Sequence, residues 1–147
     1  AARLARLGAG RGHRAGGAGG LGEVGVVRIV VGAFFVLMSL PKFPFTGSVY
    51  RHEVDAFVTF GFPESSVELF MLAAGIVELV AGVLLLVGFV TRAAALALAA
   101  VMIGAIATAG LQVGGAFHLG FAPTLLVILI VLEVVGAGAA SIDKRIA

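Results

Sequence analysis

The chain has no cysteine and no tryptophan, a single tyrosine and four prolines, and charged residues fill only 12% of its 147 positions. Without cysteine this polypeptide can form no disulfide, thiolate metal site, iron–sulfur ligation or thiol redox couple, so any sulfur or electron chemistry must belong to a partner. Histidine is scarce as well. His13, His52 and His118 fall in the N-terminal tail and in two different loops, so no pair occupies the facing positions that bis-histidine haem ligation needs. No nucleophile elbow, phosphate loop or metalloprotease helix is present. The glycines at 8, 10 and 12 and at 16, 17, 19 and 20 neither follow a strand nor open a nucleotide-binding unit, and read as low-complexity sequence.

What fills the chain instead is apolar: 61% of residues, far beyond the usual globular balance with its roughly one-quarter charged residues. The charges sit around four apolar runs at 24–44, 66–90, 93–113 and 121–141. Each is about the ~20 residues that a helix needs to cross a bilayer core. Seven of the ten basic residues then lie on one side of a four-span arrangement: Arg3, Arg6, Arg11, Arg14, Arg92, Lys144 and Arg145. Only Lys42 and Arg51 lie in the opposite loops, and Arg28 lies inside a span. The excess of basic residues places both termini in the cytoplasm. It reflects topology and anionic headgroups, since the bases are not interleaved with aromatics into a nucleic-acid face.

The expected fold is therefore an all-α integral membrane four-helix bundle, N-in and C-in, with a short interfacial helix between spans one and two. Residues 1–22, mostly Gly, Ala and Arg, read as a flexible basic arm, and 23–147 as the transmembrane domain. The first span reads as an uncleaved signal anchor, because Arg28 interrupts it and no small-residue cleavage pattern follows. Pro41 and Pro44 end it. In the following loop Val49, Val54, Phe57 and Val58 share one helical face, opposite Arg51, His52 and Asp55. Ser65 and Glu68 have the spacing of a capping box opening span two. Thr91-Arg92 makes a tight turn into a third span rich in Ala and Gly, which permits close packing. Pro123 is expected in the first turn of span four, and Gly136 and Gly138 loosen its end.

Four charged residues stand out. Arg28, Glu78 and Glu133 lie within apolar spans, where an unpaired charge costs a few kcal/mol. At ~1.5 Å per residue, Arg28 is about 6 Å, Glu133 roughly 10 Å and Glu78 about 18 Å from the cytoplasmic end. Arg28 and Glu133 lie at compatible depths for an ion pair across spans one and four; the simpler account is that these groups lock helix register, with Arg28 snorkelling to the headgroups. A carboxyl group as deep as Glu78 can hold a proton and act as a relay or as a donor to a quinone carbonyl. Lys42 either marks the outer interface or reaches Glu78 from above. Phe34, Phe35, Phe43, Phe45, Phe57, Phe60 and Phe62 crowd the outer half of span one and its loop, as a packing cluster or as the lining of a quinone or lipid groove. No residue is assigned a catalytic role and no metal site is expected: His52, beside Glu53 and near Asp55, lacks a ligand spacing.

These elements together resemble the DoxX family of small four-helix membrane proteins. The resemblance rests on Arg28 with Gly32 and Phe35, on Lys42, on Gly61-Phe62-Pro63, on Glu78 with Gly82, on Gly88-x-x-Thr91-Arg92, on Met102, and on Ser141-x-Asp143. One departure is that Met38-Ser39 stands where the family carries His-Gly. The resemblance implies a bacterial inner-membrane protein that serves as accessory or anchor subunit of an oxidoreductase or respiratory complex. It would contact lipid and other redox subunits, or a second copy of itself, and bind no cofactor except a quinone at an interface. The rival reading from the charged residues is a small proton-coupled transporter or channel component using Arg28, Glu78 and Glu133.

Overall fold

A computed structural model describes residues 15–138 and 141–146. Helix α1 runs Ala15–Ser39 and is followed by 3₁₀ turns at Leu40–Lys42 and Pro44–Thr46. Then come α2 (Ser48–Thr59), α3 (Val67–Val87), α4 (Thr91–Ala105), α5 (Ala122–Val135) and a short α6 (Asp143–Ile146). Among the described residues there is no strand. Segments 22–42, 67–87, 91–110 and 117–135 are long and apolar enough to cross a membrane. Within the expected N-terminal arm, residues 15–22 are helical and residues 1–14 lie outside the described residues.

The surface is unlike that of a water-soluble bundle. Val30, Leu37, Leu69, Val80, Leu96, Ile103, Val127 and Val134 are exposed, whereas Arg28, Ser39, Glu78, Thr91 and Ser141 are buried. Apolar surface on this scale suits lipid, and polar groups turned inward escape it.

Each span packs mainly on its sequence neighbour, α1 on α3, α3 on α4 and α4 on α5, while α1 barely touches α5. The α1–α3 crossing is set by glycine. A Cβ on Gly32 would lie 2.8 Å from the Gly82 carbonyl oxygen, and one on Gly82 would lie 3.0 Å from the Gly32 oxygen. Only one face of α4 packs closely: Ala94, Ala95, Leu98, Ala99 and Met102 are buried in one core with Leu125, Leu129 and Leu132 of α5, while Ala93, Ala100 and Gly104 are exposed, so the tightest crossing is α1–α3 and not one made by span three.

Three local expectations need correction. No capping box forms: Ser66, not Ser65, occupies the position before α3, and its hydroxyl donates to the Pro63 carbonyl at 3.4 Å. Glu68 still lies in the first turn, where its charge complements the helix dipole. Pro123 lies in the first turn of α5 as expected, but the fourth span begins at 117 rather than 121, through a π-helical turn at Phe117–Phe121. Proline at 123 cannot donate to the preceding turn and its ring crowds that turn's carbonyl, and a wider turn accommodates both. His118, read as a loop residue, consequently lies in the first turn of a span. A second π-helical turn, Ile106–Gly110, closes span three beside it.

Candidate functional site

The bundle has a tail end, where the α3–α4 turn meets α6, and a loop end formed by the turns after α1, by α2 and by the α4–α5 connection. Each contains a buried polar cluster.

At the tail end α3 stops in a Schellman motif. Gly88 adopts φ +69 and donates to the Leu85 carbonyl at 3.1 Å, and Phe89 donates to Leu84 at 3.0 Å. Glycine is required there for its positive φ and for space, because a Cβ would sit 2.6 Å from both Arg28 Nη1 and Ser141 Cβ. Arg28 is fully buried, and its Nη1 donates to the carbonyls of Leu85 and, at 2.9 Å, of Leu86. These carbonyls belong to the negative end of the α3 dipole, which favours a cation.

The start of α4 is capped from the opposite direction. Val90, in a left-handed conformation at φ 43, offers no side-chain cap. Asp143 accepts from the N–H of Val90 at 2.7 Å and of Thr91 at 2.9 Å, and its own N–H donates to the Gly88 carbonyl at 2.9 Å. One short turn is thus closed by a cation from span one and an anion from the C-terminal tail. Burial alone would raise the Asp143 carboxyl, but the hydrogen bonds from Thr91 and Val90 and the field of Arg28 outweigh it and hold it below its ordinary value.

A group held low in the folded state stabilises fully above its unfolded value, near ~3.9 for Asp, and loses that contribution as pH falls through the lower folded value. Asp143→Asn should therefore cost about 1 kcal/mol at neutral pH, the scale of a lost helix cap. The difference in melting temperature between wild type and variant should shrink toward pH 3. A difference that stays constant between pH 7 and pH 3 would contradict this.

At the loop end Lys42 Nζ lies 2.8 Å from Glu78 Oε2, with side chains only 12% and 6% exposed. Lys42 also donates to the Met38 carbonyl at 2.8 Å. Gly75, one turn before Glu78 on α3, makes room: a Cβ there would meet Lys42 Cβ at 2.9 Å. By residue count along α3, Glu78 lies about 17 Å from Val67, so Lys42 is well below the end of span two rather than at its rim. The prolines end α1 early, and α2 then packs beside the outer part of α3.

The four residues expected from sequence thus separate. Lys42 and Glu78 form a pair. Arg28 does not meet Glu133, because α1 faces α3 and not α5. Glu133, half-buried near the end of α5, makes no ion pair among the described residues. Sequence reasoning missed Gly75. Gly75 lies three residues before Glu78, hence on its face of the helix, and that spacing was the available signal.

The phenylalanines also separate. Phe43 and Phe45 stack at 5.8 Å. The rest form a continuous chain of ring contacts from Phe35 through Phe34, Phe121 and Phe117 to His118, then through Phe60, Phe57 and Phe62 to Phe70. His118 makes edge contacts with Phe60 and Phe117, and among the described residues no group of three or more potential ligands could hold a metal ion.

Fold and sites define a small four-span helical membrane protein whose buried charges pair with each other or close helix ends. The DoxX family model matches residues 24–111, more than half of the chain, and the chain belongs to the DoxX family. The matched stretch includes Arg28, Gly32, Lys42, Glu78, Gly82 and Thr91-Arg92, and ends before Glu133 and Ser141-x-Asp143. No curated protein and no solved structure matched the chain.

Proposed function

We propose that the chain is an accessory or anchor subunit of a bacterial inner-membrane oxidoreductase or respiratory assembly, with both termini cytoplasmic, and that the Lys42–Glu78 pair borders a quinone-binding interface with a neighbouring subunit. The observation that carries this reading is the pair itself, a membrane-buried cation and carboxyl group in direct contact. Of the three N–H donors of Lys42, two are used within the described residues, by Glu78 and by the Met38 carbonyl. The third can serve an oxygen-bearing ligand. A quinone head group needs such a donor and flat apolar walls; the stacked rings of Phe43 and Phe45 and the exposed side chain of Leu37 lie on the same stretch of chain. When bound, a quinone supplies the electron and proton acceptance that no residue of this chain provides. Lys42 would orient a carbonyl oxygen, and Glu78 would hold the ammonium in place. The DoxX family's general association with oxidoreductase systems supports the same reading.

Purification in mild detergent should recover the protein with a larger redox assembly. Glu78→Gln, nearly the same shape, should keep the helical circular dichroism spectrum of the wild type while lowering quinone-linked turnover of the assembly. The expected loss is about tenfold or more, the scale of one charge-assisted hydrogen bond. Recovery of the chain alone, together with solute flux by the purified protein in liposomes, would overturn this proposal in favour of a transporter.

A further inference from the structure

A second region, at the tail end and away from the Lys42–Glu78 pair, is shaped for a ligand. A cavity of about 560 Å³ opens between the start of α4 and the end of α5, walled by Val90, Ala93, Val135 and Ala137 and bordered by Arg92 and Lys144. The Arg92 guanidinium is fixed at its rim. Its Nη2 donates to the Val134 carbonyl at 3.1 Å, and the group lies over Gly136, where a Cβ would be 3.6 Å from Nε and 3.9 Å from Nη2. Gly136 has φ +87, a conformation that side chains rarely adopt. Of the five N–H donors of a guanidinium, one is used among the described residues. The nearby acid does not cancel this charge by contact: both Asp143 oxygens are engaged by the backbone of Val90 and Thr91, and neither cation forms an ion pair among the described residues.

Position selects the ligand. Span three begins at Thr91 and span four ends at Val135, so Arg92 is one residue inside one span end, and Lys144 follows from the tail beside it. The cavity therefore opens where phospholipid headgroups lie, and its apolar walls continue into the lipid-facing surface of Val134 and Val135. We infer that this groove is a binding site for an anionic glycerophospholipid, with the phosphate held between Arg92 and Lys144 and an acyl chain along Ala93 and Val135. A basic pocket between helix ends at headgroup level is the arrangement that holds acidic lipids, and the planar guanidinium suits a phosphate.

The test uses the full chain in detergent, titrated with phosphatidylglycerol, phosphatidylcholine or inorganic phosphate, and read by melting temperature and by native mass spectrometry of retained lipid. Phosphatidylglycerol should raise the melting temperature and remain bound, and phosphatidylcholine and inorganic phosphate should do neither. Arg92→Gln and Lys144→Gln should each weaken phosphatidylglycerol binding about fivefold, the scale of one basic residue near a charged membrane surface. Arg51→Gln, which removes the same charge at the loop end, should leave binding unchanged. Lys144 is exposed, so its variant remains informative if Arg92→Gln fails to fold. Equal retention of both lipids, stabilisation by inorganic phosphate as strong as by phosphatidylglycerol, or wild-type selectivity in Lys144→Gln would overturn the inference.

Discussion

Arg28→Leu should destabilise the bundle by about 3–5 kcal/mol, a large part of the whole for a domain of this size. The guanidinium is fully buried and serves the carbonyls of Leu85 and Leu86. Leucine would leave the Leu86 carbonyl without that donor and the Leu85 carbonyl with only the Gly88 N–H. It would also leave the negative end of α3 uncompensated and a void behind Gly88. Arg28→Lys should recover only part of the loss, because an ammonium is more strongly hydrated than a guanidinium and costs more to bury beside the two carbonyls that Arg28 Nη1 serves. Thermal melts at 222 nm in detergent should rank wild type above Arg28→Lys and Arg28→Leu lowest. A leucine variant that melts with wild type would show that this arginine is a bystander.

The second large effect is expected at Gly32. In an open helix position, replacing glycine by alanine is favourable by up to about 1 kcal/mol, because glycine loses more backbone freedom on folding. Gly104 is such a position, with nothing within 4 Å of an added Cβ. At Gly32 the same methyl would lie 2.8 Å from the Gly82 carbonyl oxygen and 2.9 Å from the Leu86 nitrogen. Both are helix backbone and cannot rotate aside, so α1 and α3 must move apart. Overpacking of this kind costs about 1–3 kcal/mol, and a larger side chain costs more. Separating α1 from α3 would also pull Arg28 away from its carbonyls, so the two sites should not be additive. Gly104→Ala should therefore raise the melting temperature slightly and Gly32→Ala should lower it by several degrees. Equal shifts of one sign would mean that this crossing is not set by glycine.

Much of the architecture could be read from the order of residues. Apolar runs bounded by charge gave the four spans, and the amphipathic pattern at 48–59 gave α2, because both follow from periodicity and length alone. The residues that carried the family resemblance prove to be spatial partners. Gly32 meets Gly82, and Gly88 packs against Arg28 and Ser141 while Asp143 caps Thr91. Spacing along a chain cannot reveal such pairs, because it gives the depth of a residue but not the direction it faces. Matching depth therefore suggested Glu133 for Arg28, whereas the orientation of α1 toward α3 delivered it to helix-end carbonyls.

Lys42 stayed open between the outer interface and Glu78 for a related reason: α1 ends opposite the middle of α3, and only the packing of the two helices reveals that offset and selects Glu78. His118 moved from loop to helix because a π-helical turn carries span four back past Pro123, a departure from regular helix that the apolar pattern does not encode.

The absence of cysteine supplies the most direct test of the central claim, a four-span bundle with both ends on the cytoplasmic side and the Lys42–Glu78 pair buried between spans. Single variants Ser65→Cys, Arg145→Cys and Glu78→Cys, placed in otherwise unlabelled protein, can be probed in intact cells and in inverted vesicles with a membrane-impermeant thiol reagent. Position 65 should react only in intact cells, position 145 only in inverted vesicles, and position 78 in neither until the membrane is dissolved. Reaction of 65 and 145 from the same side, or ready labelling of 78 from water, would contradict the account.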